Sequence, residues 1–205
     1  MKPPYQITSS ILTLISGISE KLGVIKASKM TIPRTELRKS NRIKTIHGSL
    51  QIEGNTLNLD QVTALMENKR VIAPLKDILE VQNAIHVYDE LQMLKPSSLA
   101  SFMKAHGMLM KGLIKTPGKF RSGGAGIVKG DALKHLAPKA EMVGALMKDL
   151  FNYLKKDNDP LLIKSCVFHY ELEFIHPFED GNGRMGRLWQ TIILQQLNSQ
   201  ICSNR

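Results

Sequence analysis

From His176 to Arg187 the chain reads His-Pro-Phe-Glu-Asp-Gly-Asn-Gly-Arg-Met-Gly-Arg, and these side chains can do chemistry together. The His176 imidazole titrates near neutral pH and can take a proton from an attacking hydroxyl. Asp180 is a hard oxygen donor, suited to Mg²⁺ shared with phosphate oxygens. Arg184 and Arg187 are three apart, so on a helix both project near one face. Two guanidinium groups there suit a di- or triphosphate. Gly181 and Gly183 permit positive φ and leave the backbone bare. Taken singly, a His-Pro, a Gly-x-Gly or an arginine pair is usually a cap, a turn or a solvated helix face. Their convergence on one turn is what points to function.

Two helices must position these groups. Leu161, Phe168, Leu172 and Ile175 share a face, with small Ser165 between them, which predicts a helix over 160–175. Pro177 disfavours a helical His176, so that helix ends there and presents the imidazole at its exit. A second helix is expected to start near Arg184 and to carry Leu188, Trp189 and Ile192 into a core. The Gly-Asn-Gly turn then lies at a helix N-terminus, where free N–H groups and the helix dipole favour anions.

The run resembles the active-site motif of the Fic (filamentation induced by cAMP) family, His-Pro-Phe-x-Asp/Glu-Gly-Asn-Gly-Arg-x-x-Arg, at every fixed position. The resemblance implies transfer of AMP from ATP to a Ser, Thr or Tyr hydroxyl of a target protein. It makes His176 the general base and Phe178 a buried anchor of the loop. Asp180 would hold Mg²⁺ (or Mn²⁺) on the α- and β-phosphates. Gly181, Asn182 and Gly183 would cradle the phosphates, largely through backbone N–H groups. Arg184 would bind the β-phosphate region and Arg187 the γ-phosphate. The related Doc toxins, which behave as kinases, have Lys in place of the second glycine; Gly183 therefore favours nucleotidyl transfer.

Upstream, Ser49-Leu50-Gln51-Ile52-Glu53-Gly54-Asn55 closes another helical stretch, with Gly54 as a natural C′ residue. By itself this is a helix stop. Beside the Fic-like run it resembles the family's inhibitory motif, Ser/Thr-x-x-x-Glu-Gly/Asn, in its N-terminal (class II) position. The resemblance implies a regulatory role for Ser49 and Glu53, with Glu53 pairing to Arg187 and displacing the γ-phosphate. The same glutamate orients a water that removes AMP from a modified target in some relatives. Three functions therefore stay open: an autoinhibited protein adenylyltransferase, a hydrolase of AMP–protein bonds, and a non-catalytic basic nucleotide or nucleic-acid binding module. Intact His176, Asp180, Arg184 and Arg187 argue against the last.

Composition sets outer bounds. The 205 residues suffice for one domain with a sizeable core. No apolar run reaches ~18 residues, so no membrane span is expected. Ile7, Ile11, Leu14, Ile18 and Leu22 recur with helical period, which predicts an amphipathic N-terminal helix rather than an export signal. Cys166 and Cys202 lack metal-type spacing, as expected of a reducing cytoplasm. The net charge of +10 invites an acidic partner, and Arg38, Lys39, Arg42 and Lys44 cluster before the upstream motif. A solvated basic face is the simpler account of that cluster. Without interleaved aromatics, nucleic acid is a poor candidate partner.

The rest of the chain reads as almost all-α. Helices are expected over 59–66, 76–93 and 98–113, and Val143, Leu146, Met147, Leu150, Phe151 and Leu154 form a strong core stripe. Residues 117–136 interrupt this with five glycines and no helical stripe. The resemblance implies a Fic-type helical bundle with a small β-hairpin flap there, pairing with the target from roughly Phe120 to Val128. It divides the chain into an N-terminal helical extension (1–35) and a Fic domain (36–205). That domain would hold the inhibitory helix at about 36–54, the flap at about 117–136 and the active-site loop at 176–187. ATP and a hydroxyl-bearing protein are the expected partners, with a homo-oligomer left open.

Overall fold

Each apolar stripe becomes a helix, and most of the stripes meet in one core. The computed structural model describes residues 2–27, 35–129 and 132–202. Its helices are α1 (Ser9–Ala27), α2 (Thr35–Ile52), α3 (Leu59–Met66), α4 (Leu75–Asp89), α5 (Leu99–Leu109), α6 (Ala140–Lys156), α7 (Leu161–Ile175) and α8 (Asn182–Cys202). The α3 start is chemically clear. Asn58 accepts from Gln61 N at 2.9 Å while Gln61 Oε1 accepts from Asn58 N at 3.0 Å, a capping box. Ser98 caps α5 through Ser101 N at 3.2 Å. Two expected helices are shorter than the stripes suggest. The 76–93 stretch breaks after Asp89 into a 3-10 turn at Leu91–Met93, and the 98–113 stretch stops at Leu109.

The core is built from α4 to α8 with the inner face of α2. The stripe on α6 is buried as expected at Val143, Met147, Leu150, Phe151 and Leu154. Phe102 from α5, Phe151 from α6, Phe168 from α7 and Trp189 from α8 meet edge to face, with centroids 5.0–6.3 Å apart. Trp189 Nε1 donates to Pro96 O at 2.9 Å, so its buried N–H is satisfied. This cluster locks α7 against α8, the two helices that flank the His176–Arg187 run.

The N-terminal stripe behaves differently. On α1, Leu14 and Ile18 are exposed, as Ile7 is just before it, while Ile11, Ile15 and Leu22 are half-buried; Ile7, Leu14 and Ile18 still line the groove against α7. α1 lies beside α7 over a shallow apolar groove that includes Ile11, Ile15, Leu162, Val167 and Tyr170. The basic cluster is likewise more engaged than a bare solvated face. Lys39 Nζ is 2.7 Å from Glu67, and Arg42 donates to Asp89 at 2.6 Å and to Ile85 O at 2.9 Å.

Two strands follow the glycine-rich turn: β1 (Gly126–Lys129) and β2 (Ala132–Leu136), antiparallel, with Gly126 opposite Leu136 and a register shift between Ile127 and Val128. The extended pairing begins six residues later than expected from Phe120. Phe120 is instead half-buried, with its ring 5.8 Å from that of Phe178. Gly130 and Asp131 lie outside the described residues. Among the described residues, no helix is long and apolar enough to cross a membrane.

Candidate active site

α7 ends at Ile175, and His176 is its C-cap, with φ 49° and ψ 61°. This left-handed conformation is the outcome of Pro177, which crowds a right-handed helical residue before it. It turns the chain sharply and sets the imidazole at the helix exit. Arg121 holds the turn. Its Nε donates to His176 O at 2.7 Å, its Nη2 to Ile175 O at 3.3 Å, and its backbone N to Pro177 O at 2.9 Å. The same guanidinium donates to Gly123 O at 2.6 Å and Pro138 O at 2.5 Å. A buried cation therefore caps the carbonyl end of α7, where the helix dipole favours it.

Phe178 lies at the base of the loop. It is fully buried, stacked on His106 at 3.5 Å and on Phe102 at 5.4 Å. Replacing Phe178 with Ala should cost about 3–5 kcal/mol, read as a lower urea midpoint at unchanged slope. A loss under 1 kcal/mol would contradict the anchor role.

His106 also ties two loops together. Its Nδ1 accepts from Gly118 N at 2.9 Å, which leaves Nε2 to donate to Asp180 O at 3.0 Å. Burial pushes its pKa down, and nearby Arg184 adds to this. A depressed histidine pKa means that the unfolded chain takes the proton first. The fold therefore loses stability as pH falls below about 6.5, by up to about 1.4 kcal/mol per pH unit from this group. Thermal unfolding from pH 7.5 to 5.5 should show that slope, and His106→Gln should flatten it.

Asn182 closes the loop rather than lining it. Its side chain is buried, accepting from Phe178 N at 2.9 Å and donating to Phe178 O at 3.0 Å. α8 starts at Asn182, two residues before the expected Arg184. Gly181 carries the positive φ, 84°, and a Cβ there would strike Met110 Sδ at 2.7 Å. Gly183 sits in the first helical turn and has no positive φ. It needs room: a Cβ would lie 2.6 Å from Glu53 Oε1 and 3.1 Å from Arg187 Nη1.

The two arginines have separate partners. Arg184 is buried, 2.9 Å from Asp180 Oδ2 and 3.3 Å from Glu80 Oε1. Glu80 Oε2 also accepts from Asn55 Nδ2 at 2.9 Å, so α4 links the end of the upstream motif to the catalytic helix. Arg187 donates to Ser49 Oγ at 3.0 Å, to Ser49 O at 2.9 Å and to Glu53 Oε1 at 2.6 Å. Gly54, φ 89°, lets the chain leave α2 just after Glu53. Asp180 remains half exposed, with Oδ1 accepting from Gly181 N. No group of three or more His, Cys, Asp or Glu side chains gathers for a metal among the described residues. One carboxylate beside an anion pocket nonetheless fits Mg²⁺, which commonly binds through one or two carboxylates plus substrate phosphates.

A family model described as the Fic/DOC family matches residues 96–194, which span α5, the hairpin, α6, α7 and most of α8. Residues 96–194 form a Fic/DOC-family domain. The chain is 47% identical to a Fic family protein from Desulfovibrio desulfuricans G20 in a crystal structure, with a TM-score of 0.89. That match covers 98% of this chain and 62% of the other. It is 28% identical to the protein adenylyltransferase Fic of Nematostella vectensis over 93% of its own length and 46% of that protein. It is 30% identical to the protein adenylyltransferase fic-1 of Caenorhabditis elegans, over 74% of its own length and 31% of that protein. The chain thus spans less than half of these curated relatives.

Arg121, His106 and Glu80 were not singled out by the sequence reading of this chain. Arg121 stands in a glycine-rich stretch that resembles a surface loop, and its partners are backbone carbonyls. A buried arginine among glycines has no periodic signature.

Proposed function

We propose that the chain is a protein adenylyltransferase held in check by Glu53. The observation that carries this reading is the contact between Glu53 and Arg187, at 2.6 Å, made directly over Gly183 at the start of α8. A carboxylate is placed where an outer phosphate would sit on that guanidinium. The curated relatives named as protein adenylyltransferases support ATP as the substrate.

The residue roles follow from position. The phosphates of ATP lie over the N-terminus of α8, where the free N–H groups of its first turn and the helix dipole receive them. Arg184, held by Glu80, takes the β-phosphate region, and Arg187, once released from Glu53, takes the γ-phosphate. Asp180 would hold Mg²⁺, which when bound offsets charge on the phosphate oxygens. His176 takes the proton of the target hydroxyl as that oxygen attacks the α-phosphorus. The bond to the bridging oxygen breaks and pyrophosphate leaves. With Glu53 on Arg187, the nucleotide is held with its α-phosphate out of line for attack. The β1–β2 hairpin serves as the flap that pairs with an extended segment of the target through backbone hydrogen bonds.

The test uses ATP labelled at either the α- or the γ-phosphate, with Glu53→Gly protein and Mg²⁺. Protein-bound label from the α position alone supports AMP transfer. Label from the γ position would replace it with phosphoryl transfer. If neither label transfers, while an AMP-modified protein is cleared only when Glu53 is intact, the chain is the hydrolase instead.

A further inference from the structure

Gly183 and Gly186 are three apart on α8, so they bare neighbouring notches on one side of the helix. Glu53 Oε1 fills the first notch, 2.6 Å from where a Cβ would stand. The second is filled by α7: a Cβ on Gly186 would stand 2.5 Å from Glu173 Oε1 and 3.0 Å from His169 Nδ1. Two carboxylates from different helices therefore flank the turn that carries Arg187. Their bonding differs. Glu53 holds the Arg187 guanidinium, whereas Glu173 Oε1 and His169 Nδ1 are buried atoms with no hydrogen-bond partner among the described residues. Orphaned polar atoms beside a functional group call for an explanation.

The charged neighbours of Glu173 are His169 on its own helix, Arg187 on α8 and Glu53 on α2. Burial, reinforced by the Glu53 charge, pushes its pKa up; His169 and Arg187 oppose that. With Glu53 drawn away, the repulsion ends and the guanidinium keeps only its two bonds to Ser49. Glu173 Oε1 is an unbonded carboxyl oxygen against Gly186, the residue next to Arg187.

We propose that Glu173 is a second, internal competitor for Arg187, taking the guanidinium when Glu53 withdraws and loosening its hold on the outer phosphate of the nucleotide. The inference rests on the nucleotide reading above and concerns regulation of that same site. Glu173 acts through Arg187, so it is a positioning residue. Ionised, above its pKa, it competes; protonated, below it, the carboxyl releases Arg187. Nucleotide binding by the uninhibited chain therefore weakens as pH rises.

The test is calorimetric ATP binding with Mg²⁺, in a Glu53→Gly, His176→Ala background that does not turn over. Adding Glu173→Gln should tighten binding roughly 3- to 10-fold at pH 8, and the gain should shrink as pH falls. Glu173→Met, neutral and of similar length, should give the same shift. Equal affinity with and without Glu173 at pH 8, or a gain that does not depend on pH, would overturn the proposal. If the parent background binds no ATP, the nucleotide reading itself fails and takes this proposal with it.

Discussion

Glu53→Gly should raise AMP transfer by about 10- to 100-fold over the unaltered chain at equal ATP and Mg²⁺. The magnitude comes from the contact being removed. A charge-assisted hydrogen bond of this kind contributes about 1.5–3 kcal/mol, and each 1.4 kcal/mol is about tenfold. The 2.6 Å Glu53–Arg187 pair is about a quarter exposed on each side, so solvent screens it only in part. Ser49 keeps two bonds to Arg187 in the variant, which holds the guanidinium near its present place. Glu53→Gln separates charge from shape: it removes the ion pair but keeps most of the side-chain volume beside Gly183. It should activate less than glycine if crowding matters. Equal transfer by the unaltered chain and Glu53→Gly would remove the inhibitory role.

His176 replacement should have the largest effect of any single change in the loop. In the Glu53→Gly background, His176→Ala should lower kcat by about 10²- to 10⁴-fold, the usual contribution of a positioned general base. Its KM for ATP should stay near that of the parent, since the proposed phosphate site is on α8 and not on the imidazole. Backbone conformation complicates this test, because His176 is left-handed and alanine adopts that region poorly. His176→Asn supplies the control: asparagine tolerates left-handed backbone but is no comparable base. The two variants should be equally impaired. An asparagine variant within tenfold of the parent would mean that position 176 is needed for its backbone rather than its imidazole.

The sequence made parts of this site legible because their signals are local. The 3.6-residue stripe on α6 and the helix ended by His176-Pro177 depend on near neighbours. So does the Gly54 stop, and all three are where the periodicity and turn chemistry put them. The Glu53–Arg187 contact spans the chain and came from motif resemblance, with no local periodicity behind it. What stayed hidden is non-local and polar. Arg121, His106 and Glu80 are buried because distant backbone or side-chain groups satisfy them, and nothing nearby marks them as different from solvated residues. The start of the strands within the 117–136 stretch was hidden for a related reason: glycine lacks strand preference, while Phe120 has it but packs near the Phe178 ring instead. A sequence does not show whether a glycine such as Gly183 serves backbone angle or space. Here the space belongs to a carboxylate from another helix.

Arg121 gives the hairpin stem and the catalytic turn a common fastening. One guanidinium grips Gly123 and Pro138 on one side and the carbonyl of His176 on the other. A pull on the hairpin reaches the residue that carries the imidazole through a single rigid, planar group. If a target segment pairs at the edge of β1–β2 as proposed, its pull would reach the turn that carries His176. A peptide that seats well on the hairpin would sharpen the aim of the imidazole as well as bind, so peptide register would be expressed in turnover and not in affinity alone.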